Sequence, residues 1–338
     1  MKIRQNSIIL TFVSACIALI LLSYKGHFNE FGSDQAAPPK NPLNETIDES
    51  FFKNVNYYSV ENSRAFIELE SNELSISNSD GVVIGFNPVG TLFRYEKLTN
   101  KPLEPIYFQS KNSRALLKKK EMFLENEVEI KMSTTNLHAD KISILSEGEL
   151  IHAINHVKTE SSVEKTNDQI LVSSNNAIYK PKLGLIEYQG NIEGIVKRKR
   201  IYEESLSFKT DLLTVNEPLS LAQMKGNVAF KKENIDAFAN RGEVFLENYN
   251  KRLKYYALYD DVRLQERLVT AGKPLIRKAF SEKLEGLISE KKIILTGLPK
   301  VFQERDVIKG NRIIIRENVE TVEVDDANSN ITIKKDDE

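Results

Sequence analysis

Apolar and polar residues alternate along most of this chain, and the alternation itself recurs on a longer period. The stretch LGLIEYQGNIEGIV at Leu183 to Val196 is an extended apolar run broken by Gly-Asn. LAQMKGNVAF at 221 to 230 has the same Gly-Asn-β-branched centre, KYYALYDDVRL at 254 to 264 has Asp-Asp-Val, and KIILTGLPKVF at 292 to 302 returns to glycine. Upstream, ELIHAINHVKT at 149 to 159 carries Asn-His-Val and EMFLENEVEIK at 121 to 131 carries Asn-Glu-Val. Aligned on Asn126, Asn155, Gly190, Gly226, Asp260 and Gly297, the copies are spaced by 29, 35, 36, 34 and 37 residues. A repeat of this length describes an array of stacked supersecondary units.

Each unit pairs such an anchor strand with a second one after a polar break, as at Ile170 to Tyr179, Ser205 to Thr214, Ile235 to Leu246 and Lys309 to Ile315. Side chains alternate between the two faces of a strand, so each anchor has one parity that is apolar. With Gly190 these residues are Ile186, Tyr188, Ile192 and Val196, opposite Glu187, Gln189, Asn191 and Glu193. The matching sets are Leu124, Val128 and Ile130; Ile151, Ala153 and Val157; Met224, Val228 and Phe230; Tyr256, Leu258, Val262 and Leu264; and Ile293, Leu295 and Val301. A one-residue slip in any copy would break the agreement, so the six copies share one register.

Strands with one greasy face must fold over on each other, as an open sandwich, a jelly roll or a β-solenoid. The anchor glycine reads as a bulge that lets a long strand turn a corner, or as a place where backbone approaches a ligand. Residues 51 to 109 also read as short strands, among them Ala65 to Leu69 and Gly81 to Phe86, without a clear repeat register.

The N-terminus is different. MKIRQNS precedes an uncharged apolar run, Ile8 to Tyr24, which as a helix spans roughly 26 Å, enough to cross a hydrocarbon core. Lys2 and Arg4 before it place the N-terminus in the cytoplasm and the rest outside. Two other readings of the run are a cleaved signal peptide and a lipoprotein signal, with Val13-Ser14-Ala15-Cys16 as the lipobox and Cys16 as the lipidated residue. Residues 26 to 50, with Pro38, Pro39 and Pro42, form a polar tether.

Composition excludes several classes. The 47 basic and 48 acidic residues leave a net charge of −1, which gives no field for nucleic acid. A single cysteine rules out an internal disulfide framework. His152 and His156 have metal-site spacing only on a helix, and on a strand they stand about 13 Å apart. No phosphate loop, nucleophile elbow, zinc motif or cofactor motif occurs, so we expect neither an enzyme nor a cofactor. Lys197, Arg198, Lys199 and Arg200 read either as a solvated turn or as a site for a phosphorylated headgroup or an anionic partner, and Lys118 to Lys120 admit the same two readings.

Residue by residue, the repeat resembles the periplasmic β-jellyroll modules of lipopolysaccharide export, the OstA-like superfamily that contains LptA and LptC. The carrying residues are Ala177 to Tyr179 before Ile186-Glu187-Tyr188-Gln189-Gly190-Asn191-Ile192, then Met224-Lys225-Gly226-Asn227-Val228 before Ile235-Asp236-Ala237-Phe238-Ala239. The ending Leu295 to Val301 followed by Ile308-Lys309-Gly310-Asn311-Arg312-Ile313 is the most specific. The resemblance covers residues 118 to 324, and the N-terminal anchor makes it LptC-like with extra repeats.

What the resemblance implies is an all-β, elongated β-jellyroll or solenoid-like fold of two-strand repeats behind one transmembrane helix. Its expected divisions are an anchor at 1–25, a tether at 26–50, an LptC-like jellyroll at 51–210, an LptA-like continuation at 211–325 and a polar tail at 326–338. The implied function is passive conduction of lipopolysaccharide from an inner-membrane ABC transporter toward the outer membrane, in a single-pass inner-membrane protein with a periplasmic β domain. LptA-like or LptD-like jellyrolls would be partners by edge-strand addition. The candidate groove lining is then Leu124, Val128, Ile151, Val157, Ile186, Tyr188, Ile192, Met224, Val228, Phe230, Tyr256, Leu258, Val262, Ile293, Leu295 and Val301. The alternative function is an envelope scaffold whose apolar face is simply a packed core.

Overall fold

The computed structural model describes residues 49–325 apart from 62, 97–98, 163–167, 199–204, 247–252, 271–272 and 305. The expected membrane span 8–24, Cys16, the tether as far as residue 48 and the polar tail lie outside the described residues, and the last two residues expected in the tether, Glu49 and Ser50, already belong to a strand. Among the described residues no helix is long and apolar enough to cross a membrane.

The described chain is all-β. The N-terminal strands are β1 (Glu49–Glu61), β2 (Arg64–Ser77), β3 (Val82–Phe86), β4 (Val89–Tyr95), β5 (Pro102–Gln109) and β6 (Asn112–Leu116). Six long ones follow: β7 (Glu121–Met132), β8 (Thr135–Leu145), β9 (Leu150–Ser162), β10 (Gln169–Lys180), β11 (Leu185–Lys197) and β12 (Leu206–Asn216). Then come β13 (Leu221–Lys232), β14 (Ile235–Leu246), β15 (Leu253–Thr270) and β16 (Lys273–Leu287). The last are β17 (Lys292–Thr296), β18 (Lys300–Gln303), β19 (Asp306–Lys309), β20 (Arg312–Arg316) and β21 (Val322–Asp325).

All of them join one 21-stranded antiparallel sheet in which chain neighbours pair. The pairs β3/β4, β5/β6 and β17/β18 are two halves of one bent strand, because each half pairs with a different stretch of the same neighbour, and β19/β20 follow the same bend by pairing with β18 and β17 in turn. The meander therefore runs without a change of plan from β1 to β21, and the N-terminal strands whose register was unreadable in the sequence obey it too. β12 spans residue 210, and its ladders with β11 and β13 both shift register there.

Every long strand turns a corner at the same level. In β7, β9, β11, β13 and β15 the corner is a pair of residues with positive φ: Asn126 and Glu127, Asn155 and His156, Gly190 and Asn191, Gly226 and Asn227, Asp260 and Asp261. Gly297 and Leu298 do the same between β17 and β18. In the ladder these two residues face one on the next strand, for example 226 and 227 opposite 240, the signature of a β-bulge. The anchor glycine is thus a bend, and Asn155 and Asp260 bend the chain without glycine.

The intervening strands turn with a small residue followed by a polar one. These are Ala139-Asp140, Ser174-Asn175, Thr210-Asp211, Ala239-Asn240 and Ser281-Glu282. Where the small residue is a hydroxyl it donates to the carbonyl two residues on: Ser174 to Asn176 at 2.9 Å, Thr210 to Leu212 at 3.1 Å, Ser281 to Lys283 at 3.0 Å. A carbonyl released by the bend is thereby satisfied inside the protein.

The corners divide the sheet into two layers that face each other. The first layer holds Leu124, Ile151, Tyr188, Met224, Leu258 and Leu295, and the second holds Val128, Val157, Ile192, Val228, Val262 and Val301. Phe230 of the second layer stacks on Tyr256 of the first at 4.7 Å between ring centres, although their strands are not neighbours. One apolar core runs between the layers from Ile67 to Ile315.

Candidate functional site

The interior is built from the inward parity of the repeats. Of the sixteen groove candidates, fifteen are between 0 and 3% exposed and belong to the core, while Ile186 is half-buried. Each such aliphatic or aromatic side chain contributes about 1.5–3 kcal/mol by leaving water. Burial pushes the Tyr188 phenol up to about 12, with Thr159 of the opposite layer partly offsetting it. These residues therefore line the inside as predicted by parity, but as a filled interior and not an open trough.

The accessible part of that interior lies nearer the strand ends. Along the rim of the first layer the cross-strand row Tyr179–Ile186–Val215–Ala222–Val244 is half-exposed. Along the rim of the second layer the facing row begins with Ile170 and Val196, also half-exposed, and Phe208 stands just inside it over Gly194, where a Cβ would overlap the ring. This apolar seam was missed from the sequence, where only Ile186 and Val196 of it were recognised as inward. The signal was available: the same parity carried to the ends of each second strand.

Toward the C-terminal end the seam closes. The second-layer row continues through Leu206, Lys232, Ile235, Glu266, Arg277 and Gln303, changing from apolar to ionic. Glu266 and Arg277 are both fully buried and 2.9 Å apart. Burial outweighs the pairing for each, raising the Glu266 carboxyl and lowering the Arg277 guanidinium from their ordinary values.

Arg277 also donates to the carbonyls of Val319 and Glu320 at 2.8 and 2.7 Å, and Glu266 accepts from the amide of Asn318 at 3.0 Å. Lys232 bonds Glu317 at 2.5 Å, and the amide of Glu317 donates to the carbonyl of Lys291 on the first-layer rim at 2.9 Å. The β20–β21 turn, residues 317–321, is thus a strap that ties one rim to the other.

The charge run fares unevenly. Arg198 donates to the buried carboxylate of Asp168 at 2.7 Å, so it serves as a structural ion pair and not as a free cation. Lys197 is exposed, and Lys199 and Arg200 lie outside the described residues. Lys120 pairs with Glu147 at 2.6 Å, and Lys118 donates to the carbonyl of Ser79. His156 bonds Asp140 at 2.8 Å, and no group of three or more metal-ligating side chains exists among the described residues.

Residues 208–321 match the family model described as LptA/(LptD N-terminal domain) LPS transport protein. A comparison with curated proteins finds no match. Among solved structures, a similar one is LptH, the LptA homologous periplasmic component of the conserved lipopolysaccharide transport device from Pseudomonas aeruginosa. It is 14% identical, with a TM-score of 0.33, over 38% of this chain and 89% of that one. The family match is thus confined to residues 208–321, where the sequence is similar to the lipopolysaccharide transport proteins grouped as LptA and the N-terminal domain of LptD.

Proposed function

We propose that this chain is a membrane-anchored periplasmic component of lipopolysaccharide export that shields acyl chains between its two layers. The observation that carries the reading is the continuous apolar interior with a half-exposed seam at Ile170, Ile186, Val196, Phe208, Val215 and Ala222. Each methylene taken from water into such a seam is worth about 0.8 kcal/mol, so a passive slot can lower the cost of carrying an acyl chain through an aqueous space. Entry requires the rims to part, because the deeper positions are already filled by side chains.

In this reading the apolar run 8–24 is the inner-membrane anchor, and the units up to residue 210 stand nearest the ABC transporter that supplies the lipid. The continuation at 211–325 acts as the bridge toward the outer membrane. β1, whose ladder among the described residues is with β2, offers an edge for strand addition by a neighbouring jellyroll. Lys197, Lys199 and Arg200 are kept as candidates for headgroup phosphates.

The near-complete burial of the interior favours one other reading, a scaffold of the envelope whose core takes no ligand. Photo-crosslinking amino acids at Tyr188, Val228 and Leu295 in living cells, with a second set at Ile186 and Phe208, separate the two. Capture of lipopolysaccharide is the expected result. Labelling of protein neighbours alone, or none at either set, would establish the scaffold.

A further inference from the structure

The outward face of the second layer changes character at β13. Two cross-strand rows cross it there. One runs Ala229–Phe238–Arg263–Phe280–Lys300–Lys309 and the other Lys231–Asp236–Gln265–Lys278–Phe302–Val307. Six strands at about 4.8 Å make this face about 24 Å wide. Phe238, Phe280 and Phe302 are 51, 42 and 39% exposed, and beside them Ile276 is 52% exposed. Phe280 and Phe302 meet edge to face at 5.7 Å. These rings are outside the core, and nothing among the described residues buries them.

The charges between the rings are almost all positive. Arg263 pairs with Asp261 and Arg267 with Asp236, which neutralises those four. Lys231, Lys278, Lys300 and Lys309 make no ion pair among the described residues. Next to Phe238, the same face hollows into a concavity of about 640 Å³ whose lining includes Leu171, Ile195, Ala229 and Lys231. Farther back along the layer the pattern is lost, since Lys209 is paired with Glu193.

We infer that this face, centred on Phe280 and Phe302 with Lys231, Lys278, Lys300 and Lys309 around them, docks on an anionic phospholipid bilayer. The chemistry discriminates among partners. Lysine is depleted where proteins bind each other, and their hot spots favour Trp, Tyr and Arg. Unpaired lysines around bare phenyl rings suit a lipid surface, where ammonium groups reach phosphates while rings enter the headgroup boundary. Each lysine held near such a surface strengthens binding about fivefold. The inference concerns the outside of the second layer and does not depend on the interior carrying lipid.

The full chain is reconstituted in vesicles with Cys16→Ser and one fluorophore on a cysteine at Phe302→Cys, or at Leu212→Cys on the outward face of the first layer as reference. Quenching by a headgroup-labelled lipid is then read in phosphatidylcholine alone and in phosphatidylcholine with phosphatidylglycerol. Position 302 is expected to be quenched severalfold more in the anionic vesicles, with position 212 unchanged. The Lys231→Gln, Lys278→Gln and Lys300→Gln triple variant, with its fold checked by far-ultraviolet dichroism, should reduce the ratio of docked to undocked molecules by about 100-fold, following the fivefold per lysine. Equal quenching in both vesicle types, equal quenching at 302 and 212, or an undiminished signal in the triple variant would overturn the inference. So would protection of position 302 by an acidic polypeptide that competes fully with anionic vesicles at equal charge.

Discussion

Gly226 and Asn155 occupy the same place in different repeats, with φ of 78° and 62°. Glycine takes this conformation freely, asparagine takes it at modest cost, and other residues are strained there. At Gly226 a Cβ would also collide with the Asp211 carboxylate. Gly226→Ala is therefore expected to cost about 1–2 kcal/mol in urea denaturation, whereas Asn155→Gly should change stability by less than about 0.5 kcal/mol.

His152 allows a second test at this scale. Burial lowers its pKa below the ordinary 6.5, so the unfolded chain binds the proton first as pH falls. Its contribution to stability is intact above 6.5 and is lost as pH drops from there through its folded-state value. His152→Gln should flatten the stability profile in that window, read as the difference between the two proteins. The inward residues were legible one by one because strand parity is a rigid rule. The hydroxyl corners at Ser174, Thr210 and Ser281 were not, since one small residue before one acid or amide is too common a pattern to stand out.

Among the elements, the bulges and the strap do different jobs. Each bulge inserts an extra residue without changing which face is buried on either side of it. Deleting Asn227 should turn Val228 and Phe230 outward and leave the protein insoluble or protease-sensitive on expression, a much larger effect than Gly226→Ala. The strap rests on a buried ion pair, for which removing one partner is far worse than removing both. Arg277→Met should lose about 3–5 kcal/mol, and adding Glu266→Leu should recover most of it, measured by the denaturation midpoint at unchanged slope.

The sequence showed repeats of two strands and their register. It did not show that the last turn folds back over the rim, because that depends on Glu266, Lys232 and Glu317, which sit far apart in the chain and carry no motif. The N-terminal strands were equally opaque. Their bends at Asn87-Pro88 and Ser110-Lys111 cut them into pieces too short for a parity count.

Over the whole described chain, one meander makes a core that is uniform in construction and uneven in access. The rim rows are apolar and half-exposed around β10 to β13, then ionic and tied shut at β15 to β20. Under the proposed function, crosslinkers at Ile186 and Phe208 should therefore capture more lipopolysaccharide than those at Leu295 and Val301, and the Arg277→Met variant should narrow that difference. A uniform yield at all four positions would mean that the strap has no bearing on access. Under the proposed function, a slot sealed at one end and slit along its middle would be loaded from the side, as a cable is pressed into a split conduit. Loading would then depend on how readily the slit parts and little on how long the cable is.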